Sequence, residues 1–190
     1  MNKVNLIAMM KKYGYYCLAG VLTVGLALIV SLSLGTGSGK VPEQNVPVGT
    51  TDLNFVLPME NASVIKNYSD TELQYNKTLN QWEAHFAVDL TSEQLSVYSV
   101  LSGVVSSVTK TYETGTEIKI THDNGFVSVY SSLSENVDVK QGDKVAKGQK
   151  IAEIADSSSR ESLEGKHLHF QIKLNGKNVD PSNYLTLENK

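Results

Sequence analysis

The chain has 190 residues, a formal net charge of −3 and 17 Lys and Arg against 20 Asp and Glu, a balance that excludes a protein built to grip nucleic acid through a basic face. Its single cysteine, Cys17, excludes an intramolecular disulfide, so any folded domain must be stable through its core. The length leaves room for one ordinary domain once a targeting segment is set aside.

From Tyr13 to Gly39 no charged residue occurs, and "YYCLAGVLTVGLALIVSLSLG" supplies about 20 mostly apolar residues, enough to cross a bilayer as one helix. This predicts a transmembrane helix over residues 13–34. A cleaved signal peptide is the competing reading, because "SLSLGTG" offers small residues, but the apolar run is longer than a signal-peptide core. Lys3, Lys11 and Lys12 precede the span, and the first basic residue after it is Lys40. That asymmetry places residues 1–12 in the cytoplasm and the remainder outside. Tyr13, Tyr15 and Tyr16 cluster at the inner boundary, where an apolar ring with a polar tip suits the headgroup region. Cys17 falls inside the span and reads as a small apolar residue.

Residues 35–52, including "GTGSGKVPEQNVPVGTT", are rich in Gly, Pro and polar side chains without a hydrophobic period, which marks a linker. A folded domain is expected over 53–190. In it, short runs of Val, Ile, Tyr and Phe alternate with Gly, Asn, Asp and Ser, the pattern of a mainly β domain. The clearest element is "TEIKITHDNGFVSVYSSL": two alternating runs separated by "DNG", residues that tolerate the positive φ of a hairpin turn. Gly142 and Gly148 in "VDVKQGDKVAKGQKIAEI" mark further turns. A lipoyl or biotinyl carrier hairpin has a similar rhythm, but it presents its lysine within a smaller soluble domain.

Two stretches carry chemistry. In "EGKHLHFQIKL", His167 and His169 are two apart on a predicted strand, so both imidazoles project to one side, roughly 7 Å apart at the backbone. In "NQWEAHFAVDL", His85 and Asp89 are four apart, a span of about 13 Å if fully extended, so the backbone must bend for both to reach one ion. Taken with His169 they would form two histidines and one carboxylate with an open fourth position, the donor set of a catalytic zinc. The bland alternatives are surface histidines on an edge strand and a satisfied loop pair.

"HFAVD", followed some 80 residues later by "HLHFQI", with "ITHDNGFVSVYSSLSENVDVKQGDKVAKGQKIAEI" between and "NGKNVDPSNYL" after, resembles the M23 (LytM-type) peptidase domain over about residues 55–187. The resemblance implies an antiparallel β-sheet domain, a metal set of His85, Asp89 and His169 holding zinc, and a catalytic role for His167. It also implies a second catalytic histidine in a Y-x-H-L motif, where this chain reads "YSSL" and places Ser132. A serine hydroxyl does not become a cation at neutral pH, and losing one preorganised oxyanion donor costs roughly 10²- to 10³-fold in rate. His122 is expected to lie near the hairpin tip, too far from Ser132 to substitute for it. Two further departures stand out: Ala87 replaces a usual glycine, and the polar loop "ADSSSRESLEGK" replaces a glycine-bearing turn.

"YSDTELQYNKTLNQWEAHFAVDL" after a single N-terminal span is similar to a sporulation branch of the same family. That similarity implies a single-pass protein of the forespore membrane, its outer domain in the intermembrane space. There it would bind a stage III sporulation protein AH-type mother-cell membrane protein during engulfment and channel assembly. The domain would keep a metal site but hydrolyse little or nothing. The alternative is a working zinc endopeptidase that cuts peptidoglycan cross-bridges. "ASVIKNYSDTELQYNKTLNQWE" is a candidate partner face, because it is aromatic and lies outside the catalytic motifs; core strands are the competing reading.

Overall fold

The computed structural model describes residues 54–189. The expected span at 13–34, the cytoplasmic segment and the linker lie outside these residues; among the described residues no helix is long and apolar enough to cross a membrane. The domain is mainly β, as its alternation predicts. Among the described residues thirteen strands run in chain order as β1 (Ser63–Lys66), β2 (Ser69–Asn76), β3 (Gln81–His85), β4 (Val88–Thr91), β5 (Ser96–Tyr98), β6 (Gly103–Thr111) and β7 (Gly115–Thr121), then β8 (Phe126–Leu133), β9 (Lys144–Val145), β10 (Lys150–Glu153), β11 (Leu168–Leu174), β12 (Lys177–Val179) and β13 (Glu188–Asn189). Nine of them form one sheet in the order β13-β1-β4-β11-β8-β7-β6-β9, with β12 pairing β11. All of its pairs are antiparallel except β1 with β13. Two small sheets, β2-β3 and β10-β5, stand apart.

The predicted hairpin is β7-β8, with Asn124 (φ 60°) and Gly125 (φ 78°) taking the left-handed conformations that "DNG" supplies cheaply. Strand β11 shows why the centre of the sheet holds. Leu168, Phe170 and Ile172 alternate into the core, where Phe170 meets Tyr130 of β8 at 5.2 Å between ring centroids. His169 and Gln171 take the other face. Leu90 and Val88 of β4 join the core in the same way, leaving Asp89 between them on the histidine side.

The chain between β3 and β4 bends at Phe86 and Ala87, as the His85–Asp89 spacing requires. Ala87 is fully buried and is not among the residues with positive φ, so replacing glycine there carries no left-handed strain. Between β10 and β11 the polar loop forms a strap containing a 3₁₀ segment at Ser159–Glu164. It is tied to the β6-β7 turn, where Ser159 and Arg160 donate their backbone N–H groups to the carbonyls of Tyr112 and Glu113. On its other side it meets the β2-β3 hairpin: Leu163 N donates to Thr78 Oγ1 at 3.1 Å, Asn76 Nδ2 donates to the Arg160 carbonyl at 3.2 Å, and the Arg160 guanidinium pairs with Glu83. Gly115 admits the strap's first turn, since a Cβ there would fall 2.1 Å from Ser157 Oγ.

Candidate metal centre

Register places the centre. Across three neighbouring strands Lys66 pairs with Asp89, and Asp89 pairs with His169, so the three side chains form one row on the face opposite the core. The bend after β3 delivers His85 beside them. His85 Nε2 lies 3.2 Å from Asp89 Oδ2, and His169 Nδ1 lies 2.8 Å from Asp89 Oδ1. The three expected metal donors are therefore together, and β11 lies inside the sheet, between β4 and β8, rather than at its edge.

A fourth group joins them that the sequence did not reveal. Glu161, carried in by the strap and 5% exposed, puts Oε2 3.0 Å from His169 Nδ1 and Oε1 3.7 Å from His85 Nε2. One donor atom from each of His85, Asp89, Glu161 and His169 lies within 4.8 Å of every other. Glu161 Oε2 is also 3.4 Å from His167 Nε2, so both imidazoles of the H-x-H pair face the same carboxylate, as two residues on one strand side should. Buried Lys66 Nζ stands 3.7 Å from Oε1. No spacing in the sequence marks Glu161 among the acids of the loop; its one signal is a carboxylate on the segment leading directly into H-x-H.

The donor set fits a divalent metal. His85 Nδ1 lies 2.8 Å from the carbonyl of Asn67 and donates to it, which leaves Nε2 with a lone pair aimed at Asp89. Both His85 Nε2 and Asp89 Oδ2 are buried without a hydrogen-bond partner. Two acceptors face to face in a dry site repel unless a cation lies between or beside them. The donor–donor separations, 2.8 Å for His169–Asp89, 3.0 Å for His169–Glu161, 3.2 Å for His85–Asp89 and 3.7 Å for His85–Glu161, bracket the roughly 3.3 Å edge of a tetrahedron with zinc–ligand bonds of about 2.0 Å.

Charge tells the same story. Burial alone would push the His169 imidazole down, but hydrogen bonds and attraction from Asp89 and Glu161 lift it to about 10. Burial alone would raise Asp89; the hydrogen bond from His169 and the attraction of its imidazolium bring it down to about 2. Glu161 is likewise held well below the usual carboxylate range, against its burial, by His167 and His169. His167 is raised, with burial opposing and Glu161 favouring its proton. Proton and metal compete for the same two anions.

Ser132 takes no part. It is fully buried with φ 62°, and its hydroxyl donates to the carbonyl of Ala155 at 3.0 Å. Ser131, rather than Ser132, pairs with His169, and its hydroxyl donates to Glu117 Oε2 at 2.9 Å. His122 lies away from the centre, as expected, between the Ser102 carbonyl (3.0 Å) and Ser128 Oγ (2.7 Å); burial pushes its pKa down.

The profile of Peptidase family M23 matches residues 83–181, more than half of the 190, and the chain belongs to that family. It is 31% identical over 153 residues to Stage II sporulation protein Q of Bacillus subtilis (strain 168), an alignment covering 74% of this chain and 53% of that protein. The chain thus matches about half the length of that curated relative. Among solved structures it resembles a chain of the SpoIIQ-SpoIIIAH pore-forming complex, with 30% identity, TM-score 0.62 and coverage of 70% of this chain and 90% of that one. It also resembles a zinc-containing peptidase from Vibrio cholerae, with 25% identity, TM-score 0.56 and coverage of 67% of this chain and 38% of that one. The matched residues hold all four clustered donors; Lys66 and β2 precede them.

Proposed function

We propose that this chain is a membrane-anchored, non-hydrolytic M23-type protein of the forespore whose outer domain binds a SpoIIIAH-type protein of the mother-cell membrane across the intermembrane space during engulfment. The observation that carries the reading is the likeness to a chain of the SpoIIQ-SpoIIIAH complex over 90% of that chain. The anchor is the apolar run at 13–34 and the reach is the linker at 35–52. The centre binds zinc through His85, Asp89 and His169, whose N and O donors suit that ion. When bound in a working peptidase, zinc polarises the attacking water. In this chain His167 would keep only a residual role, because its partner histidine is replaced by Ser132, whose hydroxyl is already spent on a backbone carbonyl.

The β2-β3 hairpin is the proposed partner face. Leu73 and Trp82 are 59% and 65% exposed, and Tyr75 packs against Trp82 across the strands at 5.5 Å between ring centroids, the rings tilted by 54°. Apolar side chains so exposed on a small separate sheet match the aromatic anchors that dominate binding energy at interfaces. The test is binding of the full chain, in detergent micelles, to the outer domain of a SpoIIIAH-type protein. Saturable binding is expected, weakened at least about 10-fold by Trp82→Glu, the effect of losing an interface anchor. Absence of binding, or peptidoglycan cleavage abolished both by chelation and by His167→Ala, would overturn the reading.

A further inference from the structure

We propose that Glu161 closes the metal centre from within the chain: its carboxylate is a fourth protein ligand, leaving no position for a water or a substrate oxygen. The inference rests on the metal-binding reading above and adds what that reading leaves open, namely the occupant of the fourth position. An M23-type set of two histidines and one aspartate has three donors, and a catalytic zinc site keeps its fourth position for water. Here Glu161 is the one further carboxylate in the cluster with those three donors among the described residues. It spans the centre, with Oε2 toward His169 and Oε1 toward His85 at 3.0 and 3.7 Å.

Three further observations set Glu161 apart from an acid that merely drifts close. It is buried, whereas a solvated loop carboxylate would stay in water. Its segment is anchored on both sides, through Tyr112 and Glu113 of the β6-β7 turn and through Thr78, Asn76 and Glu83 of the β2-β3 hairpin, so it is held in place before any ion arrives. A second carboxylate adds a negative charge to the site, and the buried ammonium of Lys66, 3.7 Å from Oε1, offsets it. A closed set of four protein ligands is the arrangement of structural zinc. The centre would then hold strap, hairpin and sheet together, and the missing second histidine would be a consequence of a site that no longer meets substrate.

The test loads the full-length chain, in detergent micelles, with cobalt(II) as a spectroscopic stand-in and measures zinc affinity by competition. The wild-type cobalt spectrum should be four-coordinate and unchanged by azide. Glu161→Ala should make the spectrum azide-sensitive and weaken zinc binding by at least about 10-fold, the lower range seen even for groups one shell further out. Glu161→Gln keeps the side chain's shape and should weaken zinc in the same direction, which guards against a strap that fails to fold in the alanine variant. An azide-sensitive wild type, or equal zinc affinity in all three proteins, would overturn the inference while leaving the metal reading intact. A wild-type chain that takes up neither cobalt nor zinc would remove both.

Discussion

The centre is built from two kinds of backbone. His169 and Asp89 sit on adjacent central strands, fixed by a register that cannot slip by one residue without turning the core side chains Leu168, Phe170, Val88 and Leu90 outward. Glu161 sits on a strap whose place depends on separate contacts with a turn and a hairpin, none of them part of the sheet ladder. The first kind of position is insured by the whole hydrophobic core. The second depends on a few polar contacts and on one glycine that lets the loop close in.

The difference makes graded predictions. Phe170→Ala removes a fully buried ring from the reverse side of the His169 strand and should cost about 3–5 kcal/mol of global stability, measured by denaturant unfolding. A loss below about 1 kcal/mol would mean that the core does not insure the strand-borne ligands. Gly115→Ala should act mainly on the strap. The left-handed backbone at φ 68° costs alanine about 1–2 kcal/mol, and its Cβ would collide with Ser157. Amide exchange over residues 156–165 should accelerate while β8 and β11 stay protected; uniform acceleration would break the comparison. Arg160→Ala, which removes a half-exposed ion pair with Glu83, should change global stability by less than about 1 kcal/mol. Its expected signature is faster exchange confined to the 3₁₀ segment. No local change would show that backbone contacts alone hold the strap.

The same division explains what was legible. Alternation in "HLHFQI" placed both histidines on one side of a strand, and the arithmetic of an extended chain demanded the bend between His85 and Asp89. Both features are local. The hairpin at "DNG" was equally plain, because its turn chemistry is written in three residues. "ADSSSRESLEGK" showed only that the usual turn was gone; Asp156, Glu161 and Glu164 are equivalent in composition, and packing against Tyr112, Glu113 and Thr78 selects Glu161. Whether Ala87 could stand in for a glycine depended on its backbone, and the fold keeps that residue out of the left-handed region. The aromatic segment from Tyr75 to Trp82 could have been core or surface from its pattern, and the structure puts it on the surface.

Sequence alone determined the mainly β character and the strand side shared by His167 and His169, since each follows from the two-residue repeat of a strand, and its resemblance to the M23 family marked Ser132 as standing where the family motif has a histidine. Tertiary structure decided that Ser132 is committed to Ala155, that Lys66 stands in line with Asp89, and that Glu161 completes the cluster. Those outcomes depend on contacts between segments up to 95 residues apart, such as Lys66 with Glu161. A local pattern carries no record of such partners, because the free energy that selects them arises only when the strands, the strap and the hairpin are packed together.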